Sequence, residues 1–333
     1  MTLGTIDAPD AVWVVGAGGL LGQGVVRRCA ALSIPVFRTS IPWDRPDDAV
    51  ASLAVAAQHW LKGTRRRWTI IWCAGAGVTS TSGEALETEL DVLRRTLATV
   101  AHEVRDRDLE GRFFLASSAG GLYAGAEGPP FDETTEPQPL APYGHAKLRA
   151  ESLVRQFCQD TSSKGVIGRF SNLYGPGQNL NKAQGLISVL VKSVVTGLPV
   201  KLYVSLDTLR DYLYVDDAAK LVLDALDRVD RPDVPAGSST VKVMASQRAD
   251  SISALVGVTK TVLKRRALLT LGASPYAKAQ ALDLRMRSVV WSEIDRFSKT
   301  PLPVGINTTA LDMRARYMSG ALSDMAGMSE NGK

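Results

Sequence analysis

Cysteine and histidine are scarce in this chain, with three of each among 333 residues. Cys29, Cys73 and Cys158 are odd in number and far apart, which excludes a disulfide-built scaffold and favours a reducing compartment. His59, His102 and His145 show no ligand spacing with one another or with the cysteines, so no metal is expected. Charge of neither sign dominates: 39 Lys and Arg against 34 Asp and Glu leave +5. The basic clusters, Lys62 with Arg65–Arg67 and Lys264–Arg266, read as solvated faces rather than a nucleic-acid footprint. A mild positive field still suits a small anionic substrate. No apolar run reaches the ~18 residues needed to cross a bilayer. The N-terminus carries Asp7 and Asp10 and no basic region ahead of its apolar run, which argues against a signal peptide. These absences predict a cytoplasmic protein with neither membrane nor nucleic-acid partner.

What is present alternates. Ala11–Val15 is a short apolar run ending in glycines, and Leu20–Ala31 follows with helical spacing. Val36–Arg38 reads as a strand, Ala49–Leu61 as a helix, and Trp68–Cys73 as a buried strand ending in Ala74-Gly75-Ala76-Gly77. Glu84–Val104 places Leu86, Leu90, Leu93, Leu97 and Val100 on one helical face. Arg112–Ala116 (strand), Tyr143–Cys158 (helix) and Val166–Phe170 (strand) continue the series. Such alternation predicts a parallel sheet with helices on both sides. Past about residue 175 the rhythm loosens. Leu186–Thr196, Asp216–Val229 and Ser251–Leu263 read as helices, Leu198–Leu209 as a loop and Val241–Ala245 as a strand. The tail after Tyr317 is expected to fray.

Two constellations carry chemistry. Gly16, Gly19 and Gly22 are spaced GxxGxxG between the first strand and helix, where glycines allow a tight turn and let backbone N–H groups approach a pyrophosphate. A plain packing turn is the alternative. Sites of this kind often hold a ribose 2′-hydroxyl with an acid after the second strand. Here Arg38-Thr39-Ser40 stands there, and no acid occurs before Asp44. NADP is therefore preferred over NAD, unless Arg38 is merely solvated and Asp44 takes the ribose. The second constellation is Tyr143-Gly-His-Ala-Lys147, whose Tyr and Lys share a helix face. A phenol, with an ordinary pKa near 10, becomes a usable acid and base beside an ammonium. Such a Tyr can exchange a carbinol proton while a nicotinamide exchanges the hydride. Ser117-Ser118, 25 residues upstream at a strand end, offers a hydroxyl for the reacting oxygen.

With these stretches goes a series in matching order: Cys73-Ala-Gly-Ala; Ser117-Ser118-Ala-Gly-Gly-Leu-Tyr123; Pro142-Tyr143-Gly-His-Ala-Lys147 with Glu151; Arg169-Phe-Ser-Asn172-Leu-Tyr174-Gly-Pro-Gly-Gln178; and Arg210-Asp-Tyr-Leu-Tyr-Val-Asp-Asp217. In them the chain resembles the extended short-chain dehydrogenase/reductases, specifically the NAD(P)-dependent sugar-nucleotide epimerase/dehydratase family. The resemblance implies an α/β fold: a Rossmann-type doubly wound parallel sheet with a smaller C-terminal α/β substrate-binding domain. The cofactor domain would span 1–175 with 210–245 returning to it, the substrate domain mainly 176–320, and 321–333 would be a flexible tail. Tyr143 would be the acid/base, Lys147 its partner on the nicotinamide ribose, and Ser118 the orienting hydroxyl, with Ser117 as fallback. Gly16, Gly19, Leu20, Leu21, Gly22, Arg38, Ala74 and Gly75 would line the cofactor. Asn172 would contact substrate, or cap backbone. Arg210 would pair with a nucleotide-sugar diphosphate, or with Asp211 or Asp217. Relatives often dimerise through two helices per subunit; Glu84–Val104 and Tyr143–Cys158 are the counterparts.

Departures matter too. Ser118 precedes Ala119 and Gly120 rather than the Asp and Glu of the family's dehydratases, which argues against water elimination. Glu89 stands where an Asn is common. The third strand of the pattern is vestigial, at best Ile41–Asp44, and Ala183–Leu206 lacks the usual sugar-contacting pattern. The first reading is an epimerase of a nucleotide-activated sugar, with C4 favoured. The second is an NADPH-dependent ketoreductase of a keto sugar or other carbonyl compound. A non-catalytic nucleotide-binding or sensor module is the third.

Overall fold

The computed structural model describes residues 11–78, 81–179, 185–272 and 281–320. Strand β1 (Val12–Val15) leads into α1 (Leu20–Ala31), β2 (Val36–Phe37), α2 (Pro46–Gly63), β3 (Arg67–Trp72), α3 (Gly83–Val104) and β4 (Glu110–Ser118). A single turn, α4 (Ala119–Leu122), precedes α5 (Pro142–Thr161), β5 (Lys164–Phe170) and β6 (Asn172–Tyr174). Then come α6 (Leu186–Thr196), β7 (Val200–Leu202), β8 (Leu209–Tyr214), α7 (Val215–Arg228) and β9 (Ser239–Met244). The remainder is β10 (Ala249–Ser251), α8 (Ile252–Leu263), β11 (Leu269–Leu271), β12 (Asp283–Leu284) and α9 (Leu302–Met318).

Local chemistry sets the boundaries. Pro46 and Pro142 open α2 and α5 at positions whose N–H would go unpaired anyway. Ser82 and Ser251 cap α3 and α8 through their hydroxyls. Gly197, with φ +73°, closes α6 in the left-handed conformation that glycine adopts without strain.

Six parallel strands form the main sheet in the order β2-β1-β3-β4-β5-β9. Side chains alternate across it. Trp13, Val15, Ile70, Trp72, Phe113 and Leu115 face one layer, packed with Trp60 of α2, Leu97 of α3 and Phe157 of α5. Val12, Val14, Ile71 and Phe114 face the other, against Val25 of α1 and Val222 of α7. Burying each such side chain contributes about 1.5–3 kcal/mol before ordering costs. The strands are apolar on both faces because both are covered. A second layer group joins β8 to β6, β10 and β12, and Ile187, Leu255 and Ile306 give α6, α8 and α9 a common core.

Three expectations change here. Ile41–Asp44 forms no strand; the chain turns there, Trp43 N–H donating to the Ile41 carbonyl and Arg45 N–H to that of Pro42. Pro42 and Pro46 bracket it and deny it ladder donors. Leu198–Leu209, expected as a loop, contains β7, parallel to β11. β6, α4, β10 and β12 were too short to leave a period in the sequence. The expected fraying tail lies from residue 321 onward outside the described residues.

Candidate active site

The chain runs from β1 outward to β2, then returns across to β3, β4, β5 and β9. The sheet therefore changes direction between β1 and β3, and ligand crevices in such sheets open at the carboxyl ends of the strands at that point. The turns after both strands meet there. A β-carbon on Gly16, whose φ is +84°, would lie 2.6 Å from the Ala74 nitrogen, and one on Gly22 would lie 2.2 Å from the Gly16 carbonyl oxygen. Only glycine permits this closeness. Gly19 begins α1 with no side-chain cap, and no acid occupies the first turn. The unpaired amides of that turn suit an anion, and the cradle fits a dinucleotide pyrophosphate.

A cleft of about 1180 Å³ extends from this turn. Gly16, Gly19, Leu20, Leu21, Ala74, Gly75, Ser118, Tyr143, Lys147, Asn172 and Arg210 all line it. Gly22 lies behind the lining, where it packs α1 onto the turn. Arg38 is exposed outside the lining, with no ion-pair partner among the described residues. Trp43, 46 % exposed, lines the cleft after β2 and was not anticipated. Neither was Tyr203, 45 % exposed, on the same cleft as Arg210.

Tyr143 and Lys147 project from the first turns of α5, with Lys147 Nζ 5.6 Å from the Tyr143 ring centre. Lys147 donates to the Ala116 carbonyl at 3.4 Å. Ser118 Oγ accepts the Gly121 N–H at 3.1 Å, which leaves its own hydrogen to donate. A β-carbon on Gly121 would lie 2.9 Å from the Tyr143 ring and 3.3 Å from Ser118 Oγ, so ring and hydroxyl both border that glycine. Gly144 completes the fit. Its absent β-carbon would stand 2.2 Å from the Gly121 carbonyl oxygen.

Ser117 also lines the cleft, but its hydroxyl donates to Glu151 Oε1 at 2.7 Å. Glu151 is fully buried, and Arg169 grips it with Nε at 3.0 Å and Nη2 at 2.8 Å. Arg155 adds a contact at 3.0 Å, and Arg169 Nη1 donates to Tyr123 Oη at 2.7 Å. Burial alone would press the Arg169 guanidinium down, but Glu151 and Tyr123 hold it above arginine's ordinary range. Three elements are thus locked together: the end of β4 beside Ser118, α5 one turn past Lys147, and β5.

Arg210 Nη1 donates to the Leu209 carbonyl at 2.9 Å, and no carboxylate pairs with it among the described residues. Burial lowers its guanidinium from the ordinary value, with Tyr212 and Asp283 partly offsetting this. The alternative pairing with Asp211 or Asp217 is not formed. Asp211, fully buried, instead accepts Ser171 Oγ, Ser246 N–H and Oγ, and Arg248 N–H. Asp217 accepts the Thr300 N–H. Asn172 Nδ2 donates to the Asp211 carbonyl at 2.9 Å, so its side chain braces backbone while it lines the cleft. Cys73 also lines the cleft; burial, with Cys29 nearby, pushes its thiol up to about 12, so it stays a neutral thiol at physiological pH. Among the described residues no group of His, Cys, Asp or Glu is arranged to hold a metal.

The comparisons with known proteins accord with this arrangement. The chain is 22% identical over 240 residues to a dTDP-4-dehydro-6-deoxyglucose reductase of Escherichia coli, covering 68% of this chain and 75% of that one. It is 32% identical over 97 residues to a dTDP-L-rhamnose 4-epimerase of Burkholderia thailandensis, covering 29% of this chain and 27% of that one. The solved structure of MoeE5 in complex with UDP-glucuronic acid and NAD superposes with a TM-score of 0.75 at 21% identity, covering 92% of this chain and 99% of that one. That likeness is one of fold. The model of the NAD dependent epimerase/dehydratase family matches residues 12–237, from β1 nearly to β9 and across the glycine turn, Ser118, Tyr143, Lys147 and Arg210. An enzyme with this sheet and this match over most of its length belongs to the NAD dependent epimerase/dehydratase family.

Proposed function

We propose that this enzyme epimerises a hydroxyl-bearing carbon of a nucleotide-activated sugar, C4 being favoured, through a transient keto sugar. One observation carries the reading: the Ser118, Tyr143 and Lys147 constellation shares a cleft with Arg210, a half-buried cation without a carboxylate partner. A guanidinium so placed suits a diphosphate, and Tyr203 offers a face for the base. The cofactor would lie along Gly16–Gly22, Ala74 and Gly75, in a domain made of 1–175 with 210–245; 176–320 would mainly hold the substrate.

Each residue has a proton or a position to hold. Tyr143 takes the carbinol proton at its phenolic oxygen and later returns it. Lys147 stabilises the phenolate, and Ser118 donates a hydrogen bond to the sugar oxygen as it becomes a carbonyl. A nicotinamide held by Gly16–Gly22, Ala74 and Gly75 would supply reversible hydride acceptance. The lack of a carboxylate beside Ser118 leaves elimination without its acid and base.

A reductase is the second reading, favoured by Arg38 and by the absence of an acid before Asp44, which suit the 2′-phosphate of NADP. Its similarity to the Escherichia coli reductase over two thirds of the chain points the same way. Denaturing the purified protein and identifying the released nucleotide separates the two. An epimerase is expected to release near-stoichiometric NAD(H) or NADP(H) and to interconvert C4 epimers without net cofactor use. An empty site that consumes NADPH against a keto sugar would install the reductase instead, and released NAD(H) would remove the preference for NADP.

The expected homodimer through α3 and α5 would join a mixed apolar and charged surface. Their outer groove of about 420 Å³ has Leu90 and Leu153 at its base and charged residues around them, with Arg149–Glu87 and Arg94–Asp91 already paired within the chain. Self-association there should weaken as salt rises. Light scattering at low and high ionic strength checks it, and a monomer at both would remove the dimer. No helix among the described residues is long and apolar enough to cross a membrane, in keeping with the cytoplasmic location proposed here.

A further inference from the structure

Glu89 lines the cleft from α3, and the mechanism above gives it nothing to do. Its Oε1 accepts the Ala76 N–H at 2.7 Å, tying the carboxylate to the turn after β3. Its Oε2 borders the space over Gly75 and Gly77. The point where a β-carbon of Gly75 would stand is 3.7 Å from Glu89 Oε2 and 3.6 Å from Lys147 Nζ. The corresponding point over Gly77 is 3.4 Å from Glu89 Oε2 and 3.4 Å from Tyr143 Cδ2. The carboxylate, the ammonium and the near edge of the phenol ring thus border the same space over Gly75 and Gly77, which Leu86 Cδ2 also enters, 2.8 Å from the second point. No cation pairs with it within 4.0 Å among the described residues.

The other ionisable groups around this spot are accounted for. Lys147 comes from α5 and Cys73, a neutral thiol, from the end of β3. Glu151 lies beneath β4, neutralised by Arg169 and Arg155. Arg210 and Tyr203 line the cleft with it. Glu87 faces outward, paired with Arg149, and His145 is exposed on α5.

We propose that Glu89 is a positioning residue whose negative charge offsets Lys147 and so sets the pH at which Tyr143 exchanges its proton. The proposal rests on the acid–base reading of Tyr143. An unopposed ammonium makes the phenolate easy to form but correspondingly weak as a base, whereas proton exchange in both directions works best when the group is poised near the working pH. A carboxylate that like-charge repulsion sets against the phenolate restores base strength. Its partner Ala76 N–H keeps it in place, and Gly75 adds no side chain between the carboxylate and the ammonium.

Glu89→Gln removes the charge but keeps an oxygen for the Ala76 N–H, so the turn is retained. The ultraviolet phenolate signal is titrated in the protein with oxidised cofactor bound, taking the difference from Tyr143→Phe to isolate Tyr143. The midpoint for Tyr143 is expected to fall by about one pH unit in Glu89→Gln, as removal of one nearby like charge implies. The limb of the kcat–pH profile should move with it, and Glu89→Asp should return both toward the parent. An unmoved midpoint, with or without weaker cofactor binding, would overturn the proposal and leave Glu89 as a turn anchor. Absence of any Tyr143 transition would instead sink the acid–base reading itself, and the proposal with it.

Discussion

Tyr143→Phe is expected to lower kcat by about 10²–10⁴-fold, the range that a positioned general acid–base group contributes. Cofactor affinity and stability should stay near the parent's. Phe retains the ring that packs where Gly121 leaves room, and Lys147 keeps its bond to the Ala116 carbonyl. Only the exchangeable proton is lost. Steady-state rates on a nucleotide sugar, alongside a cofactor titration of the same preparation, check this. Turnover within a few-fold of the parent would remove Tyr143 from the chemistry.

Glu151→Ala should cost stability rather than a proton. It strips Arg169, 4 % exposed, of its bidentate partner and leaves a buried guanidinium with only Tyr123 Oη. Breaking a buried pair by removing one partner costs about 3–5 kcal/mol, because the remaining charge is uncompensated. Ser117 Oγ and Arg155 lose their acceptor in the same step. Denaturant unfolding of the two proteins measures the loss; a difference under about 1 kcal/mol, typical of an exposed pair, would refute the role given to Glu151. Activity should fall as well, because the network fixes the strand end that carries Ser118 and the helix that carries Lys147.

How much of this was legible beforehand follows from length scale. Helix α1 and helix α6 coincide with their sequence-based limits, because glycine punctuates them: Gly19 before one and Gly197 after the other. The long strands declared themselves by apolar runs. β7 and β11, three residues each, are defined by pairing with each other across the chain, which no local window contains. In the site, Tyr143 and Lys147 share a helix turn and could be linked from spacing alone. Ser117 and Ser118 are neighbours on a strand, so composition could not separate them; only the fold shows that the Ser117 hydroxyl is bonded to Glu151. Glu89 was visible as an odd residue but without a role, because Gly75 and Gly77 bring it to the reacting groups only after β3 and α3 pack.

The insertion of β9 beside β5 has a consequence for synthesis. During translation, β5 emerges with one edge unpaired, and its partner is made only some seventy residues later. Helix α7, which covers one face of the sheet, also arrives after residue 214. Until then α1 alone covers that face, which leaves it partly open beside an unpaired strand edge, the combination that invites misassociation. The main sheet therefore cannot close its core before the ribosome has delivered α7 and β9. The main sheet is thus completed only by strands and helices made on both sides of residue 175.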